Sequence, residues 1–382
     1  MEAILEAIPG CPCAAMAPDR PSPAAPLPAQ LVVGKTPTIK EPQLLGGALY
    51  WQEQRPHERG RTTLMRRRSG GASTGASGAA RLEELTPGEW NLRCRVHEYG
   101  GGACSLGRSA NGQAVAVFVH DGDRSLWRLD LEQPGAQPQR LCTPAGAVGG
   151  GLIDSRLDRW IGVMEVNGRD QLVAVPLAGG DLQPLHQAID FCGYPALSPC
   201  GRSLAWVEWQ QPCMPWERSS LWLAPCQGDG RLGAPRQVAG TLANDNTPGC
   251  SVFQPLWAGE HLLVANDQSG FWNLELWRGS AAAATTAAPD WQAFLPMPAE
   301  FAMPQWVLGM STLAWDGARL LALACRQGRW QLGEVELPSS NGEQGRWQPL
   351  QQPFTDLAGL CAETGRLACV ASSPSQPQGL LE

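Results

Sequence analysis

From Leu31 onward the apolar residues fall in short runs of strand length separated by Gly, Pro, Asn and Asp, and few stretches hold a helical period. That pattern predicts an all-β chain. Two hairpins stand out, IGVMEV-NG-RDQLVAV at Ile161 to Val175 and AVAVFVH-DGD-RSLWRLDL at Ala114 to Leu131. Asn-Gly and Asp-Gly readily supply the positive φ angles that tight hairpin turns require. The segment SPCGR, Ser198 to Arg202, predicts a further turn ahead of LAWVEW.

The strand units recur. Tyr194-Pro195-Ala196-Leu197, Gln254-Pro255-Leu256-Trp257 and Met303-Pro304-Gln305-Trp306 each open a strand, turn, strand sequence followed by a second hairpin. The spacing, roughly 50 to 60 residues, falls near that of four-stranded antiparallel β-propeller blades. About seven blades fit: Gly46 to Arg68, Gly101 to Leu131, Pro144 to Leu177, Phe191 to Ala224, Phe253 to Trp277, Pro304 to Leu337 and Phe354 to the end, the last with too few strands for a full blade. The sixteen tryptophans sit mostly in or beside predicted strands and are expected between blade faces, with Trp216 and Trp272 as exceptions. Trp315-Asp316 stands without the repeated signature of WD40 blades.

Residues 1–30 form a Pro/Ala-rich leader, read either as a disordered segment or as an arm that docks elsewhere. The propeller domain then occupies residues 31–382. Low-complexity insertions at 68–85 and 279–290 read as surface loops.

A net charge of −7 argues against nucleic acid or an anionic membrane surface as partner. No apolar run reaches the length of a membrane span, and MEAILEAIPGCPC lacks the positive region of a secretory signal. The thirteen cysteines read as small buried hydrophobes in a reducing compartment, and a cytoplasmic protein is expected. Cys11 and Cys13 lack a second pair, so no metal site and no cofactor are expected.

The most distinctive stretch is Leu85 to Leu106, where Arg95, His97, Glu98 and Tyr99 precede Gly100-Gly101-Gly102. Glycines there permit close backbone approach at a mouth or interface. The alternative is a plain glycine-rich start to a strand. Gly71-Ala72-Ser73-Thr74-Gly75 matches the GxSxG nucleophile elbow in form, but it lies in a low-complexity loop without the strand and helix that lift the serine. None of the five histidines stands near the C-terminus in a catalytic loop, so the chain itself carries no catalytic triad. His97 beside Glu98 offers a base and an orienting carboxylate only if the segment is irregular, because adjacent strand residues point to opposite faces.

RVHEYGGGA and the Ser251 to Trp277 segment resemble the N-terminal β-propeller of the prolyl oligopeptidase family of serine peptidases, in its acylaminoacyl-peptidase and dipeptidyl-aminopeptidase branch. YPALSPCGRSLAWVEW and EFAMPQWVLGMSTLAW agree in order. The resemblance implies a propeller that gates short peptides into an α/β-hydrolase domain, the expected partner, whose serine, aspartate and histidine are absent from this chain. It implies that Arg95, His97, Glu98 and Tyr99 contact the peptide's N-terminal side, with Glu98 for a free amine and Arg95 for a carbonyl or carboxylate. The rival reading is a stand-alone propeller that serves as a protein- or ligand-binding scaffold or pseudoenzyme.

Overall fold

A computed structural model describes residues 36–68, 81–241, 248–277, 290–339 and 343–382. The predicted leader, most of both insertions, the Gly71 to Gly75 motif and the Cys11/Cys13 pair lie outside these residues. Within Pro37–Glu382 the strands form seven antiparallel sheets, each with its strands side by side in chain order.

Blade 1 comprises Thr38–Leu45, Ala48–Arg55, Arg61–Arg68 and Arg81–Glu84. Blade 2 comprises Cys104–Arg108, Ala114–Val119, Leu126–Asp130 and Gln139–Cys142. Blade 3 comprises Ala147–Asp154, Arg159–Val166, Arg169–Pro176 and Gln183–Gln187. Blade 4 comprises Phe191–Leu197, Ser203–Trp209, Ser220–Pro225 and Arg236–Gly240. Blade 5 comprises Val252–Ala258, His261–Asn266, Asn273–Trp277 and Trp291–Leu295. Blade 6 comprises Leu313–Trp315, Leu320–Arg326, Arg329–Glu336 and Arg346–Pro349. Blade 7 holds three strands, Asp356–Glu363, Arg366–Ser373 and Gln376–Leu381.

The first strands of successive blades touch in a closed cycle and line the axis. The seven-bladed architecture and the short last blade match the expectation. All six fourth strands of the described residues fell outside the predicted windows; segments such as RLEE, QPLHQ and RWQP are short, polar and half exposed. The Asn167-Gly168 turn takes positive φ at both residues, as predicted. In the Asp121-Gly122-Asp123 turn the positive φ falls on Arg124 instead. At Gly122 a Cβ would lie 2.5 Å from His120 Nε2, so a side chain there would have to push the ring aside.

The Tyr194-Pro195 and Gln254-Pro255 pairs lie inside first strands rather than opening them, at points where the register slips. Met303-Pro304 lies in the connection ahead of Leu313–Trp315, and the true third member is Glu41-Pro42. Five blades carry a positive-φ residue at this slip, Glu41, Gly150, Tyr194, Gln254 and Gly359, while positive-φ Gly102 and Gly309 lie just ahead of the first strands of blades 2 and 6. The axial edge tolerates proline because its missing N–H faces the channel and not a neighbouring strand. Side chains at these bulges tie the ring together. Gln254 Oε1 accepts the Thr312 and Leu313 N–H groups at 2.7 and 3.0 Å, and Glu41 Oε1 accepts Gly102 N–H at 2.8 Å.

Tryptophans fill the gaps between blades as expected: Trp160 between blades 2 and 3, Trp206 between 3 and 4, Trp257 and Trp277 between 4 and 5. Blade 7 closes onto blade 1 through side chains. Leu49, Trp51 and Met65 pack on Ala368, while Glu363 accepts Gly46 and Gly47 N–H groups at 2.9 and 3.0 Å. Replacing Glu363 with alanine is expected to lower stability by about 1 kcal/mol, read as a lower urea midpoint with an unchanged slope. Among the described residues no helix is long and apolar enough to cross a membrane.

Candidate functional site

In an up-and-down blade the turn from second to third strand and the connection to the next blade emerge on the same face. That face carries a cup of about 400 Å³. His97, Glu98 and Tyr99 come from the connection between blades 1 and 2, Glu165 from the Asn-Gly turn of blade 3, Phe191 and Trp209 to Trp216 from blade 4, and Gln305 and Trp306 from the connection between blades 5 and 6.

The predicted segment is a turn and not a strand, which answers how adjacent His97 and Glu98 reach one cavity. Both are left-handed, with φ of 52° and 63°. Glu165 Oε2 accepts His97 N–H at 2.6 Å and holds that turn to blade 3. His97 Nε2 lies 2.7 Å from Asp170 Oδ2, which also accepts Cys192 N–H at 2.8 Å. The imidazole is clamped edge-on by Phe191 and Trp209, at 5.2 and 5.5 Å between ring centres. Asp170 is fully buried behind it, and burial raises its carboxyl above the usual carboxylate range against the pull of His97.

Of the four predicted residues, His97, Glu98 and Tyr99 line the cup, and Glu98 and Tyr99 are exposed. Arg95 does not join them. Its guanidinium binds both Asp121 oxygens at 2.9 to 3.2 Å and borders a separate cavity with Arg124 and Gly146. Trp216, expected as an exception among the tryptophans, packs tilted against Trp306 at 4.3 Å between ring centres, and Trp306 also meets Tyr99 at 6.3 Å. Glu165 and Asp170 were missed, although a signal was present: they flank the Asn-Gly turn and are direct register partners. Like charges placed directly opposite are unfavourable in a sheet, so such a pair marks a position that something else compensates.

The three glycines have a defined task. Leu308, from the connection between blades 5 and 6, forms a parallel bridge with Gly101 and donates its N–H to Gly100 O at 3.1 Å. Tyr194 Oη donates to Val307 O at 2.6 Å, and Gly309 sits against Glu41. This segment therefore reaches across the axis to the triple glycine ahead of blade 2 and to the first strands of blades 3 and 4. Beside it remains an axial cavity of about 360 Å³ lined by all seven blades. Around the cup the same face presents Tyr99, Ile189, Met214, Phe271, Trp306 and Leu350 to solvent, and among the described large hydrophobics only Leu82 is exposed elsewhere.

No protein-family model and no curated protein matches the chain. Solved structures do. A puromycin-hydrolyzing peptidase of Mycobacterium tuberculosis is 31% identical with a TM-score of 0.74, over 90% of this chain and 50% of that one. A puromycin hydrolase is 28% identical with a TM-score of 0.78, over 93% and 53%. Prolyl oligopeptidase B from Galerina marginata shares the fold at 12% identity and a TM-score of 0.56, over 91% and 48%. The chain thus spans about half the length of these relatives. It is a seven-bladed β-propeller homologous to the propeller domains of prolyl-oligopeptidase-family peptidases.

Proposed function

We propose that the chain is the non-catalytic propeller portion of a serine peptidase of this family, and that its cup holds the amino end of a short peptide presented to an α/β-hydrolase domain. The observation that carries this reading is the lining of the cup. Glu98 stands among Tyr99, Phe191, Trp209, Trp216 and Trp306, and the described lining includes no lysine or arginine. Carboxylates ringed by aromatic faces suit an ammonium group, which gains both charge pairing and cation–π attraction. The apolar residues exposed on the same face are of the kind a second domain covers. With Leu308 moored across the axis, peptides reach the hydrolase from the rim of this face, and the gating lies there.

In the complete enzyme, Glu98→Ala is expected to raise KM about tenfold for peptides with a free amine and to leave N-acylated peptides unchanged, as loss of one charged hydrogen bond implies. Equal effects on both substrates would remove the assignment. The intact mass of the native polypeptide tests the domain claim. A mass greater than this chain's by roughly 25–30 kDa, one further α/β domain, is expected; a mass equal to this chain's would favour the stand-alone scaffold.

A further inference from the structure

We propose that His97, Glu165 and Asp170 form a binding site for one divalent cation of the zinc class, at the wall of the cup. One ligand atom from each residue falls within 4.8 Å of the others. Zn–N and Zn–O bonds of about 2.0–2.2 Å place tetrahedral ligands roughly 3.4 Å apart, so the set closes on an ion with small side-chain movements.

Three observations point to a cation. Asp170 is fully buried, and while Oδ2 is bonded twice, Oδ1 has no hydrogen-bond partner. An unpaired buried carboxylate oxygen costs free energy until something positive meets it. Glu165 and Asp170 are direct partners across the hairpin, and the lining of the cup supplies no lysine or arginine to neutralise them. The third ligand is an imidazole already fixed in orientation by Phe191, Trp209 and its own backbone bond to Glu165. One imidazole with two carboxylates is a donor set that suits zinc, and His97 and Glu165 both border the cup, so a fourth position opens to solvent or ligand. Neutral His97 would give its Nε2 lone pair to the ion, and Asp170 would exchange the His97 contact for the metal.

The test is calorimetric titration of the chelator-stripped full chain with Zn²⁺ alone, repeated with Co²⁺ followed by absorption. Expected are one Zn²⁺ per chain, a Co²⁺ spectrum without a thiolate charge-transfer band, and affinity weakened by at least about tenfold in His97→Gln, Asp170→Asn and Glu165→Gln, because losing a direct ligand costs no less than losing the partner that orients one. Glu165→Gln is the variant that keeps the fold, because the amide oxygen still accepts His97 N–H. Absence of binding, a thiolate band, or unchanged affinity in Glu165→Gln would each overturn the proposal. The metal titration uses no peptide, and peptide kinetics run in chelator test the amine reading separately.

Discussion

Gly101→Ala is expected to destabilise the propeller by about 3–4 kcal/mol, against about 1 kcal/mol for Gly112→Ala. The two glycines share a φ of 84°, so backbone strain alone predicts equal costs. Their surroundings differ. A Cβ on Gly112 meets nothing within 4 Å, whereas on Gly101 it overlaps the Leu308 carbonyl oxygen and comes within 2.9 Å of the Leu308 nitrogen and the Val307 side chain. Alanine at 101 must therefore push the crossing segment off its mooring. That breaks the Leu308 N–H bond to Gly100 and returns to water a leucine that is now 2% exposed. Urea midpoints of the two variants decide the matter: equal losses would mean that the segment carries no stability. A fluorescence change from exposed Trp306 confined to Gly101→Ala would show directly that the crossing segment had moved.

That segment also shows where the sequence was legible. The triple glycine stood out, and its reading as an interface was correct in kind, but its partner Leu308 lies more than 200 residues away and carries no mark of its own. Hairpins closed by Asn-Gly were readable because local turn chemistry decides them. Fourth strands were not, because their stability comes from pairing with the third strand and not from their own pattern. The last blade's missing strand was visible, since counting apolar runs needs no tertiary knowledge.

The cup divides in the same way. His97, Glu98 and Tyr99 were found because they are contiguous with a distinctive motif. Arg95 belonged to the same motif, but the turn at residues 96–99 sends it to Asp121, a direction that strand alternation could not supply. Glu165 and Asp170 were absorbed into the hairpin as ordinary strand residues, although the two-residue Asn-Gly turn already sets the register that brings their charges face to face.

The second large effect concerns Glu41. It is half-buried on the wall of the axial cavity, and burial pushes its carboxyl up to about 7 against the opposing pull of Gly102 N–H, Gln52 and Lys40. An unfolded glutamate titrates near 4.5. Between these values the folded chain holds a proton that the unfolded chain has released, so stability falls as pH rises from about 4.5 to 7 and then levels off. Glu41→Gln cannot lose that proton, and it keeps an acceptor for Gly102 N–H, while the Gln52 amide can turn to match the new donor. The variant is expected to equal the native chain at pH 4.5 and to exceed it by roughly 2–3 kcal/mol at pH 8, after allowance for water in the cavity. Urea denaturation at the two pH values measures the difference. A gap of the same size at both would mean that Glu41 acts through packing alone, and that the tie it makes from blade 1 to the triple glycine is indifferent to its charge.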